Sequence, residues 1–416
     1  MVSTPPRTAI VVGAGIVGLS TAWFLQDRGV DVTVVDRAGV AAGASWGNAG
    51  WIAPGLAIPL NEPNVLRYGL TSLFNPSAPL RIPVSADMRM WAFLLRFAAH
   101  CRWPSWRHAV RAAMLINEES MAAYDVLAAN GVDAPMTDGP ITAIFETPLQ
   151  SDQFEAELRR FGAAGQPLSY TVLENADLRE QVPLASQRIA RAVRIDGQRH
   201  LDPGRFVQAL GGAVTERGAT LRTGEVTDVG NRGGAVAVQL GDGGELVADV
   251  AVIATGAWLS QLVRRWIRMP VQAGRGYSFT VPTEHPVPSP IYLPSARVAC
   301  TPYRGGLRVA GTMEFRSPDA PAVPARFDAI AAAARPLLDG LVWEERTDLW
   351  VGPRPLTADS RPLIGEVAGR GIRGVYVAGG HGMWGMAQGP ATGRLLTEQI
   401  TTGKLPAALR EFDPVR

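Results

Sequence analysis

The segment VGPRPLTADSRPLIGE, residues 351–366, holds one arginine between two prolines. A guanidinium can grip a carboxylate through two parallel hydrogen bonds, which fixes both the position and the orientation of the bound group. Pro353 and Pro355 restrict the backbone on both sides of Arg354, which reduces the entropy lost when that side chain is oriented. Arg354 is therefore a candidate ligand for a carboxylate, and a structural ion pair is the alternative.

A glycine-rich turn lies near the start of the chain, in TAIVVGAGIVGLSTAWFLQDRG. The apolar run predicts a buried strand over about residues 8–12, and the residues after the turn predict a helix over about 16–28. Gly13 permits the turn, Gly15 lets the backbone approach a pyrophosphate, and Gly18 lets the helix pack closely on the strand. The free amides and dipole of the helix N-terminus favour an anion there.

An acidic residue ends the second predicted strand, 18 residues after Gly18. Asp36 can accept a hydrogen bond from a ribose hydroxyl, and its charge disfavours a 2'-phosphate at the same place. Arg37, beside it, is included among the expected cofactor contacts. The turn and the acid together predict a dinucleotide site, and they do not by themselves distinguish FAD from NAD.

Two later segments resemble returns of the chain to the same sheet. Residues 244–258, GELVADVAVIATGAW, and residues 374–400, GVYVAGGHGMWGMAQGPATGRLLTEQI, each lead from an apolar strand into a turn of small residues. The second continues into a helix expected over about 386–401. Three fragments of one sheet, separated by long insertions, favour FAD. The positive end of the last helix can stabilise negative charge that develops on a reduced flavin.

Further motifs follow in order over nearly the whole chain: GASWGNAGWIAPG, DGQRHLDPGRFVQAL, GRGYSFTVP, GGLRVAGTMEF and GPRPLTADSRPLIG. With these motifs the chain resembles the D-amino-acid dehydrogenase branch of the glycine oxidase and D-amino-acid oxidase family of FAD enzymes. Some relatives link their flavin covalently through Cys or His. Gly47 or Asn48 stands where a linking histidine would be expected, so the resemblance implies non-covalent FAD.

The activity that the resemblance implies is FAD-dependent oxidative deamination of a small amino acid, with a D-amino acid favoured. A hydride passes from the α carbon to flavin N5, and water then hydrolyses the imino acid. Within enzymes, the alternative substrate is a secondary amine such as sarcosine, hydroxyproline or an opine. An alternative of another class is a flavin-binding subunit of a larger complex that is inactive alone.

The resemblance also assigns roles to single residues. Arg354 stands in the place of the arginine that binds the substrate carboxylate, Tyr277 resembles the tyrosine that gives a second hydrogen bond, and His381 is expected near the flavin ring or the amine. The remaining expected cofactor contacts are Ser45, Asn48, Ala49, Gly50, Val226, Thr255, Gly256, Gly380, Gly382, Met383, Gly385 and Met386.

The expected fold combines α/β and α+β parts. Residues 1–60, 200–260 and 350–416 are predicted to form a discontinuous, Rossmann-like FAD-binding domain around a parallel sheet. Residues 61–199 and 261–349 are predicted to form an inserted substrate domain on a mixed or antiparallel sheet, because their strand-like segments alternate with turns.

Composition excludes several other classes of function. The 416 residues carry a formal charge of +2 without a concentrated basic stripe, so nucleic acid is not an expected partner. Lys404 is the only lysine, which removes Schiff-base chemistry. Cys101 and Cys300 are isolated, and the histidines have no metal-ligand spacing, so no metal site is expected. Glycines break the apolar N-terminal run, which predicts a cytoplasmic protein.

The electron acceptor is a quinone, another protein or oxygen. Some relatives use a lysine at the flavin to reduce oxygen, and Lys404 lies beyond the last predicted helix, which favours a dehydrogenase over an oxidase. The segment LRIPVSADMRMWAFLLRFAAHCRWPSWRHAVR, residues 80–111, mixes arginines with aromatic residues as a basic interfacial helix does. Peripheral membrane contact is therefore one expectation, and an ordinary helix covering the substrate domain is the other.

Overall fold

The computed structural model describes residues 5–72, 78–83, 85–369 and 371–416. The strands of this part are β1 (Thr8–Val12), β2 (Asp31–Asp36), β3 (Trp51–Ile52), β4 (Leu80–Arg81), β5 (Met136–Asp138), β6 (Ile141–Phe145), β7 (Tyr170–Leu173), β8 (Arg191–Ile195), β9 (Arg199–Leu201), β10 (Thr220–Thr223), β11 (Val226–Arg232), β12 (Ala235–Leu240), β13 (Glu245–Ala248), β14 (Val250–Ile253), β15 (Val271–Pro282), β16 (Ile291–Leu293), β17 (Val298–Tyr303), β18 (Gly306–Phe315), β19 (Thr347–Thr357), β20 (Leu363–Glu366) and β21 (Val375–Gly379).

The α-helices of the same part are α1 (Ile16–Asp27), α2 (Pro63–Ser72), α3 (Met88–His100), α4 (Trp103–Ala129), α5 (Pro148–Ala163), α6 (Asn175–Gln181), α7 (Pro203–Glu216), α8 (Leu259–Val263), α9 (Pro324–Ala334) and α10 (Gly385–Thr402). Short 3-10 turns occur at Pro54–Leu56, Gly256–Trp258, Arg335–Leu337 and Ala407–Phe412. None of these helices is long and apolar enough to cross a membrane.

A six-stranded sheet in the order β10-β2-β1-β14-β21-β20 forms the nucleotide-binding part of the fold. Its strands pair in parallel, except for β20, which runs antiparallel to β21. The central strands β1, β14 and β21 are apolar and buried almost throughout, as expected for parallel strands covered on both faces. Helices α1 and α10 pack on one face, and the three-stranded sheet β11-β12-β13 packs on the other. The three sequence fragments predicted to share one sheet are therefore neighbours in it.

A nine-stranded mixed sheet forms the second large layer, in the order β19-β15-β18-β17-β16-β6-β8-β7, with β4 added beside β18. The long strand β15 lies between the long strands β18 and β19 and is antiparallel to both. Both sheet types predicted from the sequence are present. β19 pairs with β15, so residues 350–357 belong to this sheet and only the chain after them continues with the parallel sheet.

Helix α4 departs from the predicted division in a similar way. Its sequence position placed it in the substrate domain, but its buried residues Ile116, Ala123, Tyr124 and Leu127 join the same core as α1 and α10. The Tyr124 hydroxyl also donates to the carbonyl oxygen of Met386, 2.6 Å away, in the first turn of α10. The small apolar residues of α4 provide a face that packs on the parallel sheet's helices, which sequence position alone does not reveal.

Candidate active site

One cavity runs between the parallel sheet and the β15–β19 side of the mixed sheet. It contains about 1540 Å³ of empty space, including its open mouth. The residues predicted from the sequence that line it are Gly13, Gly15, Asp36, Arg37, Ser45, Asn48, Val226, Thr255, Gly256, Tyr277, Arg354, His381, Gly382, Met383, Gly385 and Met386. The structure thus brings the glycine turn and the distant arginine to opposite parts of one cavity.

Four of the predicted cofactor contacts do not line this cavity: Gly18, Ala49, Gly50 and Gly380. These four residues lie behind the lining and contribute through their backbone or through their lack of a side chain. A Cβ on Gly18 would overlap the carbonyl oxygen of Gly13, so this glycine serves the close packing predicted for it. Gly50 has a φ of +69°, and a Cβ there would overlap the Leu201 carbonyl. The Ala49 carbonyl accepts a hydrogen bond from the Thr301 hydroxyl at 2.7 Å.

The end of the cavity at the glycine turn is suited to a diphosphate. Gly13 has a φ of +113°, a conformation that favours glycine, and a Cβ there would lie 2.5 Å from the Ala254 carbonyl oxygen. Gly15 is the N-cap of α1 and has no side chain to cap it. The Ile16 amide donates to the Ser45 hydroxyl oxygen at 3.0 Å, and other first-turn amides are left for an anion. The Thr255 hydroxyl is buried in the same lining without a protein partner among the described residues. Such an orphaned hydroxyl fits a bound cofactor.

Asp36 accepts three backbone hydrogen bonds at this end of the cavity. One carboxylate oxygen accepts from the Ala14 amide at 2.8 Å, and the other accepts from the amides of Ala38 and Gly39 at 2.8 and 3.0 Å. The carboxylate is therefore held by the glycine turn itself. Each carboxylate oxygen can accept more than one hydrogen bond, so the position remains suited to a ribose hydroxyl.

The part of the cavity that Val226 and Arg37 line has a contact that the sequence did not predict. Arg37 lies over the ring of Trp258, 4.1 Å from its centroid, and forms an ion pair of 2.6 Å with Asp319. The Trp258 indole nitrogen donates to the same carboxylate at 3.0 Å. These three residues join the loop after β18 to the edge of the nucleotide site.

Arg354 lies at the opposite end of the cavity without an acidic neighbour. Its Nη1 donates to the Thr312 carbonyl oxygen at 2.8 Å, and no described carboxylate lies within 4.0 Å of its guanidinium. Burial lowers the pKa of Arg354 to about 10, so the side chain is still protonated at neutral pH. A half-buried cation without a counter-charge has lost part of its hydration, which favours an anionic ligand at this point.

Small residues lie on the face of β15 and β19 that also carries Trp350 and Arg354. Antiparallel partners share a face, and the pairs Ser278–Trp350, Gly276–Gly352 and Gly274–Arg354 place their side chains on the same face of the sheet. Trp350 folds over Gly352, where a Cβ would overlap its ring. The indole of Trp350 and the guanidinium of Arg354 thus cover these glycines, and Trp350 and Arg354 line the cavity there.

The Tyr277 phenol requires a correction to the predicted site. Tyr277 borders the cavity, but it lies between Gly276 and Ser278 and its ring packs on the other face of β15, against Phe327 with centroids 5.2 Å apart. Its hydroxyl donates to the buried Glu314 carboxylate at 2.6 Å. Strand alternation therefore directs the phenol into the core, where it is not available to a substrate carboxylate.

His381 lines the cavity just before α10, as predicted. It is 4% exposed, and its Nε2 lies 2.9 Å from the Thr392 hydroxyl oxygen. Burial lowers the pKa of His381 to about 4, so the imidazole is neutral at physiological pH. A neutral imidazole can share hydrogen bonds with an amine but does not bring a positive charge to it.

Further lining residues were not predicted from the sequence. Trp350 and Ala310 line the substrate end, and Trp258 lines the nucleotide end. A signal existed for Trp350, because it precedes Arg354 by four positions in a strand and a period of two places both on one face. Ala310 carries no comparable signal, since it enters the site only through the pairing of β15 with β18.

Comparisons with known proteins agree with this geometry. The profile of the family described as FAD dependent oxidoreductase matches residues 8–399. The chain is similar to a D-amino acid dehydrogenase of Cereibacter sphaeroides, with 30% identity over 95% of this chain and 92% of the relative. It is also similar to a D-amino acid dehydrogenase of Vibrio vulnificus, with 29% identity over 97% and 99% of the two chains.

Among solved structures, the fold is similar to that of glycine oxidase from Bacillus cereus. The TM-score is 0.74, with 21% identity and coverage of 99% of both chains. This level of identity supports the shared fold alone. The match extends over both the parallel and the mixed sheet, which agrees with the two-part fold predicted from the sequence.

Proposed function

Because the chain belongs to the FAD dependent oxidoreductase family, we propose that it oxidises a small D-amino acid whose carboxylate is held by Arg354. The observation that carries this proposal is a half-buried, protonated arginine without a described acidic partner, in the cavity that also contains the glycine turn. Two relatives named D-amino acid dehydrogenase support the D-amino acid as the substrate class.

The residues of the nucleotide end fit FAD. Gly13 and Gly15 would admit the diphosphate, Asp36 would accept from the ribose, and the free Thr255 hydroxyl would find its partner on the cofactor. When bound, FAD supplies the acceptor for the two electrons and the hydrogen that leave the substrate α carbon. We also propose that the attachment is non-covalent, so acid denaturation is expected to release all the flavin into solution.

The protein's own contribution at the substrate end is mainly positioning. Arg354 would fix the carboxylate and so hold the α carbon in one orientation towards the flat ring. His381, neutral and oriented by Thr392, would accept or donate a hydrogen bond at the amine without repelling it. Trp350 would exclude water from the reacting carbon. Orientation and electrostatics of this kind can provide most of a rate enhancement without a strong base.

The test is an anaerobic absorbance scan of the purified protein with separate pools of D-amino acids, L-amino acids and N-alkyl amino acids. The expected result is loss of the oxidised flavin bands with the D-amino acid pool. If only the N-alkyl pool reduces the flavin, the substrate is a secondary amine and the proposed D-amino acid is wrong. A flavin-containing protein that no pool reduces would favour a subunit that requires a partner.

We further propose a quinone or protein acceptor at a membrane surface. Helix α3 buries Met90 and Phe93. Its outer face, which we define as Met88, Trp91 and Leu95, is apolar, with Met88 76% and Leu95 73% exposed. Arg89 and Arg96 also lie on this helix, and an apolar face combined with arginines suits an anionic lipid surface. The α3 outer face thus favours membrane contact over the alternative, in which the helix only covers the substrate domain.

Not all the aromatic residues predicted for this contact take part in it. Trp106 and Phe93 are buried, so they belong to the protein core. We predict that the protein co-sediments with vesicles containing anionic phospholipid. Replacing both Met88 and Leu95 with Ser should reduce the bound fraction at least fivefold, since each removes an exposed apolar side chain. The matched control is Leu149→Ser, because Leu149 is also exposed but lies on a different helix, α5. Equal binding by wild type and both variants would contradict the contact.

A further inference from the structure

The guanidinium of Arg354 occupies the space that a side chain at position 276 would fill. Gly276 faces Gly352 across the β15–β19 pair, so it is the diagonal neighbour of Arg354 on the same face. A Cβ added to Gly276 would overlap Cζ and Nη2 of Arg354 and would lie 2.5 Å from Nη1. The guanidinium therefore rests directly on the backbone of β15, which only a glycine permits.

Thr312, on the other neighbouring strand, provides the second contact. The register of β15 with β18 shifts between Arg275 and Tyr277, so β18 has an extra residue opposite Gly276. Thr312 lies in this bulge with a φ of +57°, a conformation that β-branched residues rarely adopt. Its hydroxyl is buried and has no partner among the described residues.

The bulge leaves the Thr312 carbonyl free to bind Arg354. The Thr312 carbonyl accepts from Arg354 Nη1 at 2.8 Å, the only hydrogen bond that the described residues offer this guanidinium. A regular ladder would have paired that carbonyl across the strands and would have avoided the left-handed residue. Strained backbone held by its surroundings is characteristic of functional sites, where it orients a group before the ligand arrives.

We propose that Gly276 and Thr312 form an Arg354 seat, which fixes the guanidinium in the orientation that captures the substrate carboxylate. Gly276 sets the height of the guanidinium above the sheet, and the Thr312 carbonyl sets its rotation. Both are positioning residues, since they act through Arg354. Preorganisation of this kind reduces the entropy lost on binding and aligns the α carbon with the acceptor. The inference rests on the proposed function, because it names how the same site holds its substrate.

The decisive variant is Gly276→Ala. The atoms it would strike are the far end of a flexible side chain, so the change displaces Arg354 and leaves the sheet in place. Gly230→Ala is the matched control, since it is also a strand glycine and its Cβ would meet no atom within 4 Å. The measurements are the Kd of the D-amino acid and the limiting rate of flavin reduction, both by anaerobic rapid mixing.

Gly276→Ala is expected to raise the Kd of the D-amino acid about 30-fold or more. This is the lower end of the affinity loss that follows when one partner of a hydrogen-bonded charge pair is displaced. The flavin spectrum and the melting temperature should match those of Gly230→Ala, and the rise in Kd should exceed the fall in the limiting rate. A wild-type Kd in Gly276→Ala would overturn the seat. In an Arg354→Met background, Gly276→Ala should have no further effect, and an added loss there would also overturn it.

Thr312→Pro tests the second contact, because proline holds φ near −65° and cannot keep the left-handed bulge. The expected Kd is tenfold or more above wild type, and a wild-type Kd in the folded variant would overturn the role of the carbonyl.

Calorimetry with pyruvate and phenylpyruvate separates failure of the seat from failure of the proposed reaction, since these keto acids have a carboxylate but no amine to oxidise. Binding to wild type with loss in Gly276→Ala supports the seat even if no amino acid reduces the flavin. Absence of binding to wild type overturns the seat and the carboxylate role of Arg354 together.

Discussion

Replacing Arg354 with Met should make the protein more stable and at the same time a poorer binder of its substrate. Burial lowers the pKa of this arginine from 12.5 to about 10. At about 1.4 kcal/mol per pKa unit, this shift means that the half-buried charge costs the ligand-free protein about 3 kcal/mol. Leaving the Thr312 carbonyl without its donor costs about 1 kcal/mol in the variant. The net expectation for Arg354→Met is a free energy of unfolding that is about 2 kcal/mol higher.

For a chain of this length, an unfolding entropy of about 2.1 cal/mol/K per residue converts that gain into a melting temperature about 2 °C higher. The same variant should raise the Kd of the D-amino acid at least 30-fold, because a buried charge pair can no longer form. Differential scanning calorimetry of the FAD-loaded protein and anaerobic flavin reduction measure the two effects.

The matched control is Arg361→Met. Arg361 lies in the same segment but forms an ion pair of 2.9 Å with the buried Asp359. Removing Arg361 takes away one of the positive charges that balance the buried Asp359 carboxylate. The Arg361→Met variant should therefore melt at a lower temperature than wild type. If Arg354→Met also melts several degrees lower and keeps a wild-type Kd, Arg354 is a structural residue and the reasoning about the site is refuted.

Three further predictions concern one residue that lines the cavity, His381, and two that lie behind or beside its lining, Gly18 and Asp319. The pKa of His381 falls from 6.5 in the unfolded chain to about 4 in the fold, so stability should be complete above pH 6.5 and decrease as the pH falls towards 4. His381→Gln should make this decrease smaller without removing it, because burial also lowers the pKa of His100 and His200, and urea unfolding at pH 7 and 4.5 measures the difference. Gly18→Ala should yield protein without flavin absorbance, because its Cβ overlaps the Gly13 carbonyl and displaces α1; full FAD content would contradict this. Asp319→Ala should raise the FAD Kd two- to fivefold, as expected for an exposed ion pair, and equilibrium dialysis in 1 M NaCl should abolish the difference.

The nucleotide end of the cavity could be predicted from the sequence because its signals are local. A strand, a glycine turn and a helix follow one another within 20 residues, and Asp36 ends the next strand. The return strands β14 and β21 were also recognisable, since fully buried parallel strands are short and continuously apolar. Gly13 and Gly15 therefore line the cavity where the spacing placed them.

The substrate end could be predicted only in part because it depends on strand pairing. Arg354 was identified by its motif, but its surroundings come from β15 and β18, which are distant in sequence. Tyr277 lines the cavity as expected, but nothing in GRGYSF indicates which face of β15 carries its ring, so the bond of its hydroxyl to Glu314 could not be foreseen. The bulge at Thr312 has no sequence signal either, since its left-handed residue is neither glycine nor asparagine.

The most direct test of the central claim is a single anaerobic turnover with a D-amino acid that reduces the flavin. The protein is mixed with the substrate at a known flavin concentration, and the solution is assayed for keto acid and ammonia. The account predicts one keto acid and one ammonia for each flavin reduced in wild type, and almost none in Arg354→Met at the same substrate concentration. Flavin reduction without keto acid, or equal yields from the two proteins, would contradict it.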